Sequence, residues 1–136
     1  MKNKQASLPR KELENAHSLY SKGLIQDAIK QIKILNKKYP NEPILFNMMG
    51  ACYKEADQLE GAAKMFDIAI SLKPNYAEAH FNLGVVLQNL DYKDESIESY
   101  KKAIAISPNY PDALNNLGNV YISLDQYEAC LLYTSD

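Results

Sequence analysis

The chain has 136 residues, with 15 basic and 17 acidic side chains and a formal charge of -2. That is enough for one domain or one short array of repeats, with no positive excess to hold a phosphate backbone, which excludes nucleic acid as a partner. Hydrophobic residues make up 46% and charged residues 24%, the balance of a folded soluble chain rather than a disordered one. No apolar run approaches the roughly 18 residues that a membrane helix needs.

The first residues, Met1-Lys2-Asn3-Lys4, are followed by Gln5-Ala6-Ser7-Leu8-Pro9-Arg10, where a signal peptide would carry its hydrophobic stretch. Residues 1–8 are therefore expected to form a tail, and nothing directs export. Cys52 and Cys130 are too few and too far apart for a disulfide framework or a zinc site. A reducing, cytoplasmic setting is the expectation.

From Pro9 onward the chain repeats itself at an interval of 34 residues. Pro40, Pro74 and Pro108 are each followed by asparagine, and Gly50, Gly84 and Gly118 keep the same spacing. So do Ala28, Ala62 and Ser96, the large residues Ile32, Phe66 and Tyr100, and the row Leu35, Ala69 and Ala103. Within each unit the periodicity predicts a helix, a turn and a second helix. His80, Leu83, Gly84 and Leu87 lie at i, i+3, i+4 and i+7, as do Leu114, Leu117, Gly118 and Tyr121, so each set forms one face of a first helix. Ala62, Ala63, Phe66, Ala69 and Ile70 follow a polar break at Asp57-Gln58. Ser96, Ile97, Tyr100, Ala103 and Ile104 follow another at Asp91-Tyr92-Lys93-Asp94, and both runs predict second helices. In the third unit the helices are expected over Asn75–Asn89 and Asp94–Ser107. Proline ends each second helix, asparagine is expected to cap the next, and Glu78 three residues after Asn75 suggests a capping box. No segment reads as a strand.

The small residues suggest where helices cross. Gly84 is expected to face Ser96, and Gly50 to face Ala62, with Tyr100 or Phe66 filling the adjacent space. One hairpin cannot bury its apolar face alone, so stacking of neighbours is required.

The strings PILFNMMGACYKEADQLEGAAKMFDIAISLKPN, AEAHFNLGVVLQNLDYKDESIESYKKAIAISPN and PDALNNLGNVYISLDQYEA resemble tetratricopeptide (TPR) repeats. The resemblance covers about Pro9 to Ala129. It implies an all-α fold, an α-α superhelix or TPR solenoid of about three and a half helix-turn-helix repeats. The units are then 9–42, divergent because Ala16, Ile32 and Leu35 replace the glycine, aromatic and alanine; 43–76; 77–110; and a partial fourth at 111–129. The pattern fails after Ala129, since Thr134 stands where a large residue is due. Residues 130–136, CLLYTSD, resemble a translated sequencing adapter, which would make them a non-native tail and the chain a gene fragment; an unusual natural terminus is the alternative.

Little in the sequence marks catalysis. His17 and His80 are the only imidazoles, 63 residues apart, and match no compact ligand motif; both are expected to pack. The five glycines follow the repeat rather than a phosphate-cradling loop. Asp94, Glu95 and Glu98 fall on solvent faces, where nothing separates carboxylate pKa values into an acid and a base. Cys52 lacks an electropositive neighbour and reads as a buried small hydrophobe. No catalytic residue, metal ligand or cofactor is predicted.

What the resemblance offers instead is a groove. In the family, first helices line the concave side of the superhelix and bind extended peptides or partner helices. The matching positions here are Glu78, Asn82, Val85 and Asn89 on one helix and Asp112, Asn116, Asn119 and Ser123 on the next. An asparagine carries both a donor and an acceptor, and Asn82 and Asn116 resemble rungs of the asparagine ladder in protein O-linked N-acetylglucosamine transferases. In the second unit Met48 takes that place, with Asn47 adjacent. The other reading of these asparagines is that they merely solvate an exposed face. The clamp that grips a chaperone's terminal carboxylate is disfavoured, because Leu13, His17, Met48 and Glu78 occupy four of its five places and only Asn82 is acceptable. The expected function is a non-catalytic scaffold for protein or peptide partners. The alternatives are the substrate-recruiting region of a larger transferase, a glycosyltransferase or sulfotransferase with its catalytic domain in cis, and a freestanding assembly adaptor.

Overall fold

A computed structural model describes the backbone of residues 7–134 and the side chains of residues 7–126. Among the described residues seven helices account for the regular structure: α1 (Arg10–Ser21), α2 (Ile25–Lys38), α3 (Pro43–Glu55), α4 (Leu59–Leu72), α5 (Ala77–Asn89), α6 (Lys93–Ile106) and α7 (Pro111–Thr134). No strand occurs among the described residues. The chain divides into two compact units, residues 1–74 and 75–136. In the first, α1 packs on α2, α2 on α3 and α3 on α4; in the second, α5 packs on α6 and both touch α7. The helix-turn-helix order expected from the periodicity is present. Neither of the breaks expected at 42/43 and 76/77 interrupts a helix.

The turns inside the hairpins follow one design. Gly23, Asp57 and Asp91, spaced by the repeat interval, take positive φ values of 79°, 59° and 67°. In the first, the Gly23 N–H donates to the Tyr20 carbonyl and the Leu24 N–H to that of Leu19. Asp57 and Gln58 repeat this on Lys54 and Tyr53, and Asp91 and Tyr92 on Gln88 and Leu87. This paired bonding, with a left-handed residue just past the helix, is a Schellman stop that satisfies carbonyls the helix end leaves open. Glycine takes that conformation without strain, and aspartate is among the few other residues that tolerate it.

α7 departs from this pattern. It runs 24 residues and passes straight through Asp125, one repeat interval beyond Asp91. A Cβ added at Gly118 would meet no atom within 4 Å, so no packing across this face offsets the cost of a left-handed residue. Helical propagation, which adds one hydrogen bond per residue fixed, continues instead. The sequence assignment at 130–136 falls on the end of this helix and on Ser135 and Asp136; its side chains lie outside the described residues, as do residues 1–6 of the N-terminal tail.

One expectation about local structure is corrected. Asn75 and Glu78 form no capping box: α5 begins at Ala77 with Tyr76 as its N-cap and no side-chain capping bond. The rings expected to fill the space beside the small residues press on the glycines themselves. A Cβ at Gly50 would fall 2.5 Å from Phe66 Cε1, and one at Gly84 2.6 Å from Tyr100 Cε1. Each glycine therefore makes room for the aromatic ring of its own hairpin. Ser96 is buried beside this contact with its hydroxyl donating to the Lys93 carbonyl at 2.7 Å, which satisfies it within its own helix.

The cores are apolar and local. In the first unit Ala16, Ala28, Ile32, Leu35, Leu45 and Cys52 are at or below 1% exposed and form one cluster with Met49. In the second, Ile97, Tyr100 and Val120 pack with Phe81, Val85, Leu117 and Leu124. Complete burial of a side chain the size of Tyr100 or Phe66 is worth about 2–3 kcal/mol each.

Candidate functional site: the polar faces of α5 and α7

The eight stripe positions of the second unit separate by burial. Glu78 and Asn89 on α5 and Asp112 and Asn119 on α7 are exposed, whereas Asn82, Val85, Asn116 and Ser123 are half-buried. Val85 packs against the core of the unit, so its side chain serves the fold. Asn47, from the first unit, is only 4% exposed and does not present its amide to solvent. Four residues named from the sequence as clamp positions also find their places. Leu13 and Met48 pack on the core of the first unit, and Glu78 is exposed. His17 is exposed rather than packed, with Nδ1 3.4 Å from the Ser21 hydroxyl and its ring tilted beside Tyr20. A solvent-facing position on α1 needs no buried partner for an imidazole, which is why spacing alone misplaced it. His80 is buried, 5% exposed, as expected.

Two groups of side chains converge in the second unit. At one end, Tyr110 lies just before α7 with its ring 5.1 Å from that of Phe81. Its phenol is raised above the ordinary tyrosine value, by burial first and then by the carboxylates of Glu78 and Asp112. Carboxylates from α5 and α7 thus act on one point, and each disfavours a further negative charge there.

The second group surrounds Tyr100. Its ring is fully buried, tilted 5.9 Å from Phe81, and its hydroxyl donates to Gln88 Oε1 at 2.7 Å. Burial raises the phenol's pKa, and the Asn116 side chain on α7 opposes that rise. Sequence reasoning missed Tyr100, Gln88 and Tyr110 as parts of the site. The available signal was a tyrosine in the row Ile32, Phe66, Tyr100, since a hydroxyl at a buried position implies a polar partner.

Outside this surface burial raises the pKa values of Tyr20, Cys52 and Asp67. Cys52 is fully buried and its thiol is pushed up to about 11, by burial and then by the Glu55 carboxylate, the opposite of what a nucleophile or metal ligand requires. Its role as a small hydrophobe stands. Asp94, Glu95 and Glu98 are exposed. Among the described residues no group of three or more His, Cys, Asp or Glu side chains is placed to hold a metal ion. Among the described residues no helix is long and apolar enough to cross a membrane.

The family model for the TPR repeat matches residues 50–91 and 94–125, more than half of the chain, and the chain belongs to this tetratricopeptide-repeat family. Solved structures agree on the fold. The TPR domain of Sgt2 from Aspergillus fumigatus superposes with a TM-score of 0.86 at 20% identity, covering 95% of this chain and 88% of that one. The first TPR of Spaghetti (RPAP3), solved with the HSP90 peptide SRMEEVD, gives 0.82 at 20% identity, covering 89% and 98%. MamA gives 0.79 at 25% identity, covering 90% and 71%.

Proposed function

We propose that this chain is a non-catalytic interaction module that holds an extended peptide against the polar faces of α5 and α7, with Asn82 and Asn116 bonding the peptide backbone. The observation that carries this is the half-burial of Asn82 and Asn116, which lie between exposed Glu78 and Asn89 on α5 and between exposed Asp112 and Asn119 on α7. An amide partly held by its neighbours loses less side-chain entropy on binding than a fully exposed one. Backbone bonding by asparagine carries little side-chain preference.

The charge of the partner follows from Glu78 and Asp112. In the Spaghetti structure the bound peptide ends in EEVD. On this chain a second cluster of carboxylates would meet two already acting on Tyr110, and like charges reject such a partner. The fitting peptide is neutral or basic where it passes Tyr110.

Selection from a phage-displayed library of random dodecapeptides tests the reading. Enriched peptides should lack clustered acids, and Asn82→Ala and Asn116→Ala should each weaken them by roughly threefold to tenfold, the worth of one net hydrogen bond. SRMEEVD should bind far more weakly than the selected peptides, and Glu78→Lys should narrow the gap. Failure to enrich any peptide, or affinities indifferent to both alanine variants, would refute the proposal.

A further inference from the structure

The two units carry opposite charge. Residues 1–74 hold 12 basic and 8 acidic side chains and residues 75–136 hold 3 and 9, so a chain of formal charge -2 is made of one unit at +4 and one at -6. Each unit also exposes isoleucine among its charges. On α2, Lys30, Lys33, Ile34 and Lys37 lie at i, i+3, i+4 and i+7 and are all exposed, Ile34 to 52%. The three lysines enter no ion pair among the described residues. On α7, Leu114, Gly118, Tyr121, Ile122 and Asp125 recur at i, i+4, i+7, i+8 and i+11, one face of a helix, on the other side from Asp112, Asn116 and Ser123. Leu114, Tyr121 and Ile122 are exposed, Ile122 to 57%, and the space over Gly118 is open. This helix has no lysine or arginine, and Leu124, next to Asp125, shares a pocket with Asp91, Tyr92, Lys93, Asp94 and Glu95.

We infer that these two faces bind each other between copies of the chain. The exposed face of α2 of one copy lies on α7 of the next, Ile34 enters the open space over Gly118 between Leu114 and Ile122, and the lysines meet Asp125 and the carboxylates of the pocket. Opposite charges steer the encounter and fix the register, around an apolar centre. Joining α7 to α7 would set acid against acid, and joining α2 to α2 base against base, so like faces reject each other. The contact is therefore heterologous: each copy keeps one face free, and copies add head to tail. One helix laid on another buries less than the roughly 1,200 Å² of a stable interface, so the association is reversible and depends on concentration.

Sedimentation velocity of the full chain under reducing conditions tests this. In about 50 mM salt the weight-average mass should rise between about 10 and about 500 µM protein, and in about 0.5 M salt the association should weaken roughly tenfold or more. Lys30→Glu combined with Lys33→Glu and Lys37→Glu removes one face, and Ile122→Lys removes the other. All four side chains are exposed, so circular dichroism should be unchanged while each protein becomes monomeric; Ile34→Ser should act as the lysine triple does. Mixed in equal amounts, the triple variant and Ile122→Lys should form a dimer and nothing larger, because each retains the face that the other has lost. A wild-type chain monomeric throughout the range, association indifferent to salt or to these substitutions, or a mixture that stays monomeric would overturn the inference.

Discussion

The same substitution, glycine to alanine, should act with opposite sign at two positions one repeat apart. At Gly84 the added Cβ would lie 2.6 Å and 2.7 Å from Tyr100 Cε1 and Cδ1 and 3.1 Å from Cζ, against the roughly 3.5–4.0 Å of an ordinary carbon contact. The ring would have to move by about 1 Å. It has little freedom to do so, being fully buried, packed beside Phe81 and tied to Gln88 through its hydroxyl. Overpacking of this kind costs about 1–3 kcal/mol, and the better helix propensity of alanine returns only about 0.8–1.0 kcal/mol. The net loss for Gly84→Ala should therefore fall between about 0 and 2 kcal/mol, toward the upper end for a ring held this firmly. At Gly118 the same Cβ meets nothing within 4 Å, so the propensity gain of about 1 kcal/mol stands alone. Both residues lie in the unit 75–136, so one urea transition followed by circular dichroism reports on both. With a slope of about 1–3 kcal/mol per molar, the two midpoints should part by roughly 1 M on opposite sides of wild type. Combining Gly84→Ala with Tyr100→Leu should recover part of the loss, as expected of residues in direct contact. A Gly84→Ala protein as stable as wild type or more so would refute the account of the hairpin contact.

Three further outcomes follow from the packing and the turns. Tyr100→Ala empties the centre of the second core and should cost about 3 kcal/mol or more, measured by the same denaturation; a loss below about 1 kcal/mol would contradict its burial. Gly23→Ala should cost about 1–2 kcal/mol although nothing surrounds that position, because the penalty is one of left-handed backbone alone. In a Cys130→Ser background, Cys52 should alkylate at pH 8 roughly a hundredfold more slowly than a free thiol, since its pKa is pushed up to about 11. The folded value lies above the unfolded one, so this contribution to stability is intact below about pH 9 and is lost as pH rises through 11, at up to about 1.4 kcal/mol per pH unit. Cys52→Ala should lack this part of the alkaline decline, and identical pH profiles would count against it.

The repeat rows were legible because each is fixed by a packing requirement that recurs: an aromatic must have its glycine, and a second helix must end before its proline. Finer detail was not. Residue type alone does not show that Asp57 and Asp91 stop helices through their backbone conformation, because aspartate in a polar break has many uses. Residue size marks Gly84 as a close-contact position, but not that the ring of Tyr100 lies directly on it. Asn75 had the chemistry of a cap, yet the helix starts two residues later, where Tyr76 takes the capping place without a side-chain bond. Asn47 looked like a neighbour of the polar stripe, but it stands one residue out of register with Asn82 and Asn116, at the place of Phe81, and is buried there. The bond from Tyr100 to Gln88 could not be read from sequence, since it joins a hydroxyl on α6 to an amide on α5.

Each glycine–ring contact closes within its own hairpin, between residues sixteen apart in the chain. Contacts so near in sequence carry small loop-closure costs and favour rapid folding. They also make the hairpin a unit of inheritance: recombination that inserted or removed one whole interval would carry the glycine and its ring together. Lengthening such a protein would then disturb only the junctions, and the number of rungs offered to a partner could change in evolution without any hairpin having to be re-engineered.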